Sequence, residues 1–345
     1  MGQKRCLLIF NCAKGKPAIS LNHDRLCSNN RNLAEPSLLV PPSSVFNFLF
    51  SGTPKGFREM AGFPPGTDNN SQQAFFLYDK ETMFLQAKKS LGQHFLNSKH
   101  VLDQIIACSK IEKGEQILEI GPGTGILTET LLLAGANVTA VEKDDRAIDL
   151  LNQKFFTQIS NKQLKIIRGD ILENTPEDLP KSPFKLVANI PYYITGAILE
   201  KFLEYGPRPQ KMVLLVQKEV AERIVARDGK ESVLSISVKA FGEPYLVAKV
   251  PRGAFTPAPT VDSAILNIEN ISDDRFAKDN INIKRFFQIV KAGFAHKRKF
   301  AIRNLETVIE KEKLEKIWSS NNFDSKIRPE DMTVGDWVQL AQNID

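Results

Sequence analysis

Short apolar runs begin to alternate with amphipathic stretches only beyond Lys88. Gln116 to Ile120, Val138 to Val141, Leu164 to Ile167, Phe184 to Ala188 and Met212 to Val216 are rich in Ile, Val and Leu. They read as strands of a buried sheet. Leu127 to Ala134, Ala147 to Phe156 and Ile198 to Tyr205 read as the helices between them, and Ser98 is placed to cap another helix running to about Cys108. Regular βα alternation of this kind predicts an α/β fold, a Rossmann-like and mostly parallel sheet with helices on both faces. Tyr245 to Val250 and Ala264 to Ile268 then follow one another with no helix between, which predicts an antiparallel pair at the sheet edge. After about Asn270 the strand signals stop. Ile283 to Gly293, Lys297 to Glu306, Lys311 to Ser319 and Val334 to Gln342 read as helices, forming a small C-terminal domain. The pattern therefore divides the chain into residues 1–86, 87–269 and 270–345.

Residues 1–86 carry no sustained helical or strand period. Pro41-Pro42, Pro64-Pro65-Gly66 and Asp68-Asn69-Asn70 punctuate them. They are expected to be a disordered extension, or sequence upstream of a start at Met83. An organellar transit peptide is the competing reading. Acids are few there, but no amphipathic Arg-rich helix stands out.

Composition narrows the class. A net charge of +6 over 345 residues suits a polyanionic partner. No apolar run is long enough to span a bilayer. Four cysteines, Cys6, Cys12, Cys27 and Cys108, match no zinc spacing, so no metal is expected and a reducing compartment fits best.

The chemistry lies at the ends of the predicted strands. The first strand runs into Glu119-Ile120-Gly121-Pro122-Gly123-Thr124-Gly125, a glycine turn at a helix start that lets a nucleotide-like ligand approach the backbone. Such a loop alone is shared by NAD enzymes and methyltransferases. Glu119, ahead of Gly121, Gly123 and Gly125, favours a methyltransferase and S-adenosyl-L-methionine as donor. Glu142 ends the second strand, where a carboxylate accepts from ribose hydroxyls. Asp170, in Gly169-Asp170, ends the third and is placed to accept from the donor's adenine amino group. Any one of these acids is an ordinary surface residue near a turn; three in register are not.

About seventy residues beyond the glycine loop stands Asn189-Ile190-Pro191-Tyr192. An adenine amino group is a poor nucleophile because its lone pair is delocalised. Two acceptors on its N–H groups, the Asn189 side-chain oxygen and the Ile190 carbonyl, would steer that lone pair toward a methyl group. Pro191 fixes the turn and brings no competing donor. Tyr192 is suited to stack on a base taken out of its helix. Phe255, on the Pro-stiffened run Phe255-Thr256-Pro257-Ala258-Pro259, is the candidate for the opposite wall, with a plain core aromatic as the alternative.

With these motifs in order, the chain resembles the KsgA family of small-subunit rRNA adenine N6-dimethyltransferases. The resemblance runs through Lys89-Ser90-Leu91-Gly92-Gln93-His94-Phe95-Leu96, the glycine loop, Glu142, Gly169-Asp170, the Asn189 turn, Phe255 to Ala264 and Phe294 to Leu305. It implies a Rossmann-like S-adenosylmethionine-dependent methyltransferase sheet that dimethylates two adjacent adenines in a hairpin near the 3′ end of small-subunit rRNA, late in ribosome assembly. It also implies that His94 and Leu96 contact the donor. His94 stands where many relatives have Asn, Ile190 replaces the commoner Leu, and Tyr193 stands where relatives often carry Asn.

The partner implied is small-subunit rRNA in a pre-ribosomal particle, met by a monomeric, cytoplasmic enzyme of bacterial type; a mitochondrion or plastid is the alternative if the extension is a transit peptide. Between Lys284 and Asn304 lie Lys284, Arg285, Lys291, Lys297, Arg298, Lys299 and Arg303, with no acid among them. That stretch suits phosphate contact, with Phe286, Phe287 and Phe294 as the apolar side of the helix. Lys218, Arg223 and Arg227 are candidates to extend it. The enzyme alternative is the Erm type, which acts on large-subunit rRNA and shares both the loop and the turn. An alternative of another class is an organellar homologue acting as a non-catalytic assembly or transcription factor.

Overall fold

The computed structural model describes residues 85–344, apart from 89, 90, 174–176 and 182, together with three short strands nearer the N-terminus. Those strands, Leu8–Ala13 (β1), Lys16–Leu21 (β2) and Leu38–Leu39 (β3), form a small antiparallel sheet in the order β1-β2-β3. Strands thus occur in a stretch that reads as unpatterned. The two six-residue runs are separated in sequence by Lys14-Gly15 alone, a spacing suited to a hairpin. The remainder of residues 1–84 lies outside the described part.

In the second unit of the chain, residues 81–345, a seven-stranded sheet holds the fold. Its strands are Gln116–Ile120 (β5), Asn137–Glu142 (β6), Leu164–Arg168 (β7), Lys185–Asn189 (β8), Lys211–Gln217 (β9), Glu243–Val250 (β10) and Ser263–Glu269 (β12). The order across the sheet is β10-β12-β9-β8-β5-β6-β7. The five strands from β9 to β7 are parallel, and β12 and β10 complete the edge antiparallel, as the pattern predicts. Strands with both faces covered lack a polar face, which is why they read as continuous apolar runs. Met212, Leu214 and Val216 of β9 enter one core while Val213 and Leu215 enter the other.

Helices Lys99–Ser109 (α1), Ile126–Leu133 (α2) and Asp145–Lys154 (α3), with the short Phe156–Ser160 (α4), cover one face. Ser98 is at the N-cap of α1, but its side chain makes no capping bond. Thr195–Glu200 (α5), Lys218–Val225 (α6) and Val233–Lys239 (α7) lie in the core of the other face. The helices after β12 share that same core: Phe286, Trp337 and Leu340 belong with Leu186, Leu214 and Leu266. They are Asp274–Lys278 (α8), Ile283–Gly293 (α9), Ala301–Leu305 (α10), Lys311–Ser320 (α11) and Val334–Ile344 (α12).

One predicted helix is shorter than expected. Lys297, Arg298 and Lys299 precede α10, because Phe300 at its N-cap is extended (φ −65°, ψ 150°). Two residues each of Phe95–Leu96 (β4) and Phe255–Thr256 (β11) pair antiparallel outside the main sheet. This small clip joins the segment before α1 to the loop after β10.

Candidate active site

The chain runs outward from β5 through β6 to β7, then returns to β8 on the other side of β5. A crevice forms at such a switch point, beyond the carboxyl ends of the strands. Here it is a cavity of about 230 Å³ lined from β5, β6, β7 and β8 and by residues 91–96. All of the predicted donor-side residues except Gly125 line it: His94, Leu96, Glu119, Gly121, Gly123, Glu142, Asp170 and Asn189.

The glycine loop is shaped by packing as much as by ligand approach. Gly125 has φ +74°, and a Cβ there would lie 2.6 Å from the Phe155 ring and 2.7 Å from Leu151. It therefore seats α2 against α3. Gly121 has φ +65° with open space above it, the kind of surface a ligand can cover. Glu119 is 1 % exposed in β5, and its Oε2 has no hydrogen-bond partner. Burial, reinforced by the charge of Glu142, pushes its carboxyl up to about 8, with Thr128 opposing. A carboxyl with one oxygen unpartnered beside an open glycine turn fits the amino and hydroxyl groups of S-adenosylmethionine, a cationic donor.

Glu142 is held by the backbone on three sides. Its Oε1 accepts from Lys143 N at 2.8 Å and Asp144 N at 2.9 Å, and its Oε2 from Gly123 N at 3.0 Å. Burial still raises its carboxyl above the ordinary value. A carboxylate offers about four lone-pair positions, so Oε2, with one bond, keeps a position for a further donor while Oε1 is filled. Asp170 accepts from Leu172 N at 3.0 Å and from Lys143 Nζ at 2.8 Å. The bond to Lys143 is the main reason its carboxyl sits below the usual range. Lys143 is thus a resident of the donor site that sequence reasoning passed over, though it stands next to Glu142.

On the acceptor side, Asn189 ends β8 and donates from Nδ2 to the His94 carbonyl at 3.1 Å. A carbonyl takes only a donor, so this bond decides which way the amide faces. Among the described residues it leaves Oδ1 without a donor, on a residue that lines the cavity. The Tyr192 hydroxyl bonds Ser263 Oγ at 2.6 Å, which ties the turn to β12. His94 is stacked on the Tyr192 ring (centroids 6.0 Å apart, 22° between planes), and its Nδ1 donates to the Pro257 carbonyl at 2.8 Å. Ile190, Pro191 and Tyr192 all line the cavity.

Phe255 does not. It is 3 % exposed and packs in the core with Leu96 and Val101, so the expectation of an opposite stacking wall is corrected to a core position. Its place in β11, opposite Leu96, turns the ring inward. The aromatic that is free at the cavity mouth is Tyr193, 68 % exposed.

Residues 84–345 match the ribosomal RNA adenine dimethylase family. The chain belongs to that family. A "Ribosomal RNA small subunit methyltransferase A" of Dehalococcoides mccartyi is 40 % identical over 261 residues, covering 74 % of this chain and 88 % of the relative. One of the same name from Fusobacterium nucleatum is 38 % identical, covering 75 % and 98 %. A dimethyladenosine transferase from Plasmodium falciparum superposes with a TM-score of 0.60 at 27 % identity, covering 72 % of this chain and 96 % of that one. The 23S rRNA methyltransferase ErmE shares the fold at TM-score 0.57 and 24 % identity, covering 73 % and 99 %.

This adenine dimethylase places its predicted RNA-facing cations outside the cavity. Lys284, Lys291, Lys297, Arg298, Lys299 and Arg303 are exposed and Arg285 is half-buried. Phe286 and Phe287 of α9 are core. Lys291 pairs with Glu200 and Arg303 with Glu306; among the described residues the other five make no ion pair. The Lys297–Lys299 turn is braced by Asn304, whose Nδ2 donates to the carbonyls of Gly293 and His296. Arg223 in α6 and Arg227 just beyond it are spent on Glu219 and Glu222 of that helix, whereas Lys218 has no such partner among the described residues.

Proposed function

We propose that this enzyme dimethylates N6 of two adjacent adenines in a hairpin near the 3′ end of small-subunit rRNA, using S-adenosylmethionine. The observation that carries this reading is Asn189. Its amide nitrogen is engaged by the His94 carbonyl, and its oxygen is left to accept from an amino group at the cavity that Glu119, Gly121 and Glu142 line. Glu142 and Asp170 would hold the donor's ribose and adenine, with Lys143 keeping the Asp170 carboxylate charged. When bound, the donor supplies the methyl group.

The remaining chemistry belongs to the chain. Asn189 Oδ1 and the Ile190 carbonyl accept from the two N–H groups of the target and hold its lone pair toward the donor. Because they are fixed beforehand, they also meet the positive charge that develops on N6. Pro191 contributes no N–H to compete. Tyr192, fixed by Ser263, offers a ring face rather than a base; burial, the largest influence on its hydroxyl, raises it further above its ordinary value. The five unpaired cations of the C-terminal stretch suit the phosphates of a pre-ribosomal particle. A monomer working in the cytoplasm fits this reading.

The test is single-turnover transfer from labelled S-adenosylmethionine to undermethylated small subunits, with the modified bases mapped. Dimethyladenine at two neighbouring positions near the 3′ end is expected, and Asn189→Ala should lose on the order of 10²–10³ in rate. In a parallel reaction on undermethylated large subunits, label taken up there and not by small subunits would favour the Erm-type activity instead. A near-normal rate in Asn189→Ala would remove the Asn189 turn from the chemistry.

A further inference from the structure

Residues 91–97 touch three parts of the site, and one buried carboxylate fastens them. Asp144, 4 % exposed, follows β6. Its Oδ2 accepts from Gln93 Nε2 at 3.0 Å and from Arg146 Nη2 at 2.6 Å, and its Oδ1 lies 3.6 Å from Lys88 Nζ. Gln93 is held at its other end too, where its oxygen accepts from Lys88 N at 2.9 Å. The Arg146 guanidinium reaches further along the same segment, to the Gln86 carbonyl at 3.1 Å. The residue after Gln93 is His94, whose carbonyl orients Asn189. Beyond it, Phe95 and Leu96 are clipped to β11. The His94 carbonyl therefore sits between two anchors, Gln93 on Asp144 and β4 on β11. On the donor side the Asp144 N–H is bonded to Glu142 at 2.9 Å.

We propose that Asp144 and Gln93 are positioning residues for methyl transfer. Together they seat the His94 carbonyl that turns the Asn189 oxygen toward the acceptor, and so couple the donor half of the site to the acceptor half. The inference rests on the reading of Asn189 given above. Its physical basis is the symmetry of an amide. The two ends of the Asn189 side chain have nearly the same shape, but one accepts and the other donates. Among the described residues, the His94 carbonyl is the group that selects between them. With the carbonyl out of reach, the amide is free to present its NH2 to the target's own N–H groups, an arrangement that repels. Asp144 also caps α3 through Arg146 N, so a substitution of Gln93 is the cleaner probe, because Gln93 takes no part in that cap.

The experiment is a double-mutant cycle on the single-turnover rate, with saturating S-adenosylmethionine and undermethylated small subunits. Gln93→Met keeps the length of the side chain and removes its donor. It is expected to slow transfer by about ten- to a hundredfold, the size of effect that a slight misplacement of a reacting group produces, with the affinities for S-adenosylmethionine and for the subunit unchanged. Placed on Asn189→Ala, it is expected to slow transfer no further. Asp144→Asn, which keeps an oxygen for Gln93, should retain more activity than Asp144→Ala. Multiplicative losses in the double variant, or a wild-type rate for Gln93→Met, would overturn the inference while leaving the role of Asn189 standing. A near-normal rate for Asn189→Ala would overturn both.

Discussion

Replacing Glu119 by Gln should make the unliganded protein more stable in neutral and mildly alkaline solution, yet weaken its hold on the donor. The carboxyl is 1 % exposed, and one of its oxygens has no partner. Burial moves it from 4.5 to about 8. Below pH 4.5 both the folded and the unfolded chain hold the proton, and the group is neutral to stability. Between 4.5 and 8 the folded chain keeps a proton that the unfolded chain has released. Folding then takes up a proton, so stability falls as pH rises, by up to about 1.4 kcal/mol per pH unit. Across the whole window the loss is on the order of a few kcal/mol, a large share of the stability of a domain. Glutamine has no proton to lose and removes this slope. Urea denaturation of the wild type and of Glu119→Gln between about pH 5 and pH 8 gives the difference directly. The variant's advantage should grow with pH, while calorimetry at neutral pH shows weaker binding of S-adenosylmethionine. A difference that stays flat across the window would refute the argument from burial. Unchanged donor affinity would refute the assignment of Glu119 to the donor.

Three further outcomes are expected. Glu142→Ala should weaken S-adenosylmethionine binding by roughly 1.5–3 kcal/mol, with calorimetry as the check; unchanged affinity would take Glu142 out of the donor site. Phe255→Ala should lower the stability of the fold by about 3–5 kcal/mol, as for a core aromatic; a denaturation midpoint near that of the wild type, with RNA placement impaired, would restore the stacking role instead. Neutralising Lys297, Arg298 and Lys299 together should weaken RNA binding and lower the slope of its salt dependence by about 0.7–0.9 for each phosphate no longer neutralised, without touching donor affinity. An unaltered salt slope would leave those charges as a solvated face.

The middle of the main sheet was legible because the inner positions of β5, β8 and β9 are buried on both sides and almost wholly apolar. Glu119 is the informative exception: an acid inside such a strand is there for chemistry or it is a burden. Less legible were the elements too short to have a period. β4 and β11 are two residues each, and no pattern announces them. The helix Val233–Lys239 left only its capping box, Ser232 with Ser235, as a sign. Lys297 to Glu306 read as one helix because Lys and Arg favour helices, whereas the turn at Phe300 depends on a bond from Asn304 that composition does not reveal. Phe255 shows a different limit. A phenylalanine beside a proline-rich loop suits a stacking wall and a core equally well, and only the pairing opposite Leu96 separates them. His94 was singled out for the donor, but its link to Asn189 eluded the sequence: what it gives is a backbone carbonyl, which any residue possesses.

That last point bears on how such a site is built. In the proposed reading the donor would be held from the ends of β5, β6 and β7, and the acceptor from the end of β8, on either side of a break in strand order. Adjacent strands bring the two halves near one another, but they do not set the orientation of one amide. The segment before α1 supplies that. It belongs to neither half and is tied to both, through Asp144 on the donor side, the His94 carbonyl on the acceptor side, and β11 beyond. Gly123 shows how closely it is fitted: a Cβ there would lie 3.0 Å from the Phe95 ring. A change at Gln93 therefore acts first on the seating of the His94 carbonyl, whereas His94 and Leu96 line the cavity themselves. Activity should be more sensitive than affinity to substitution at Gln93, while the reverse should hold at Glu142.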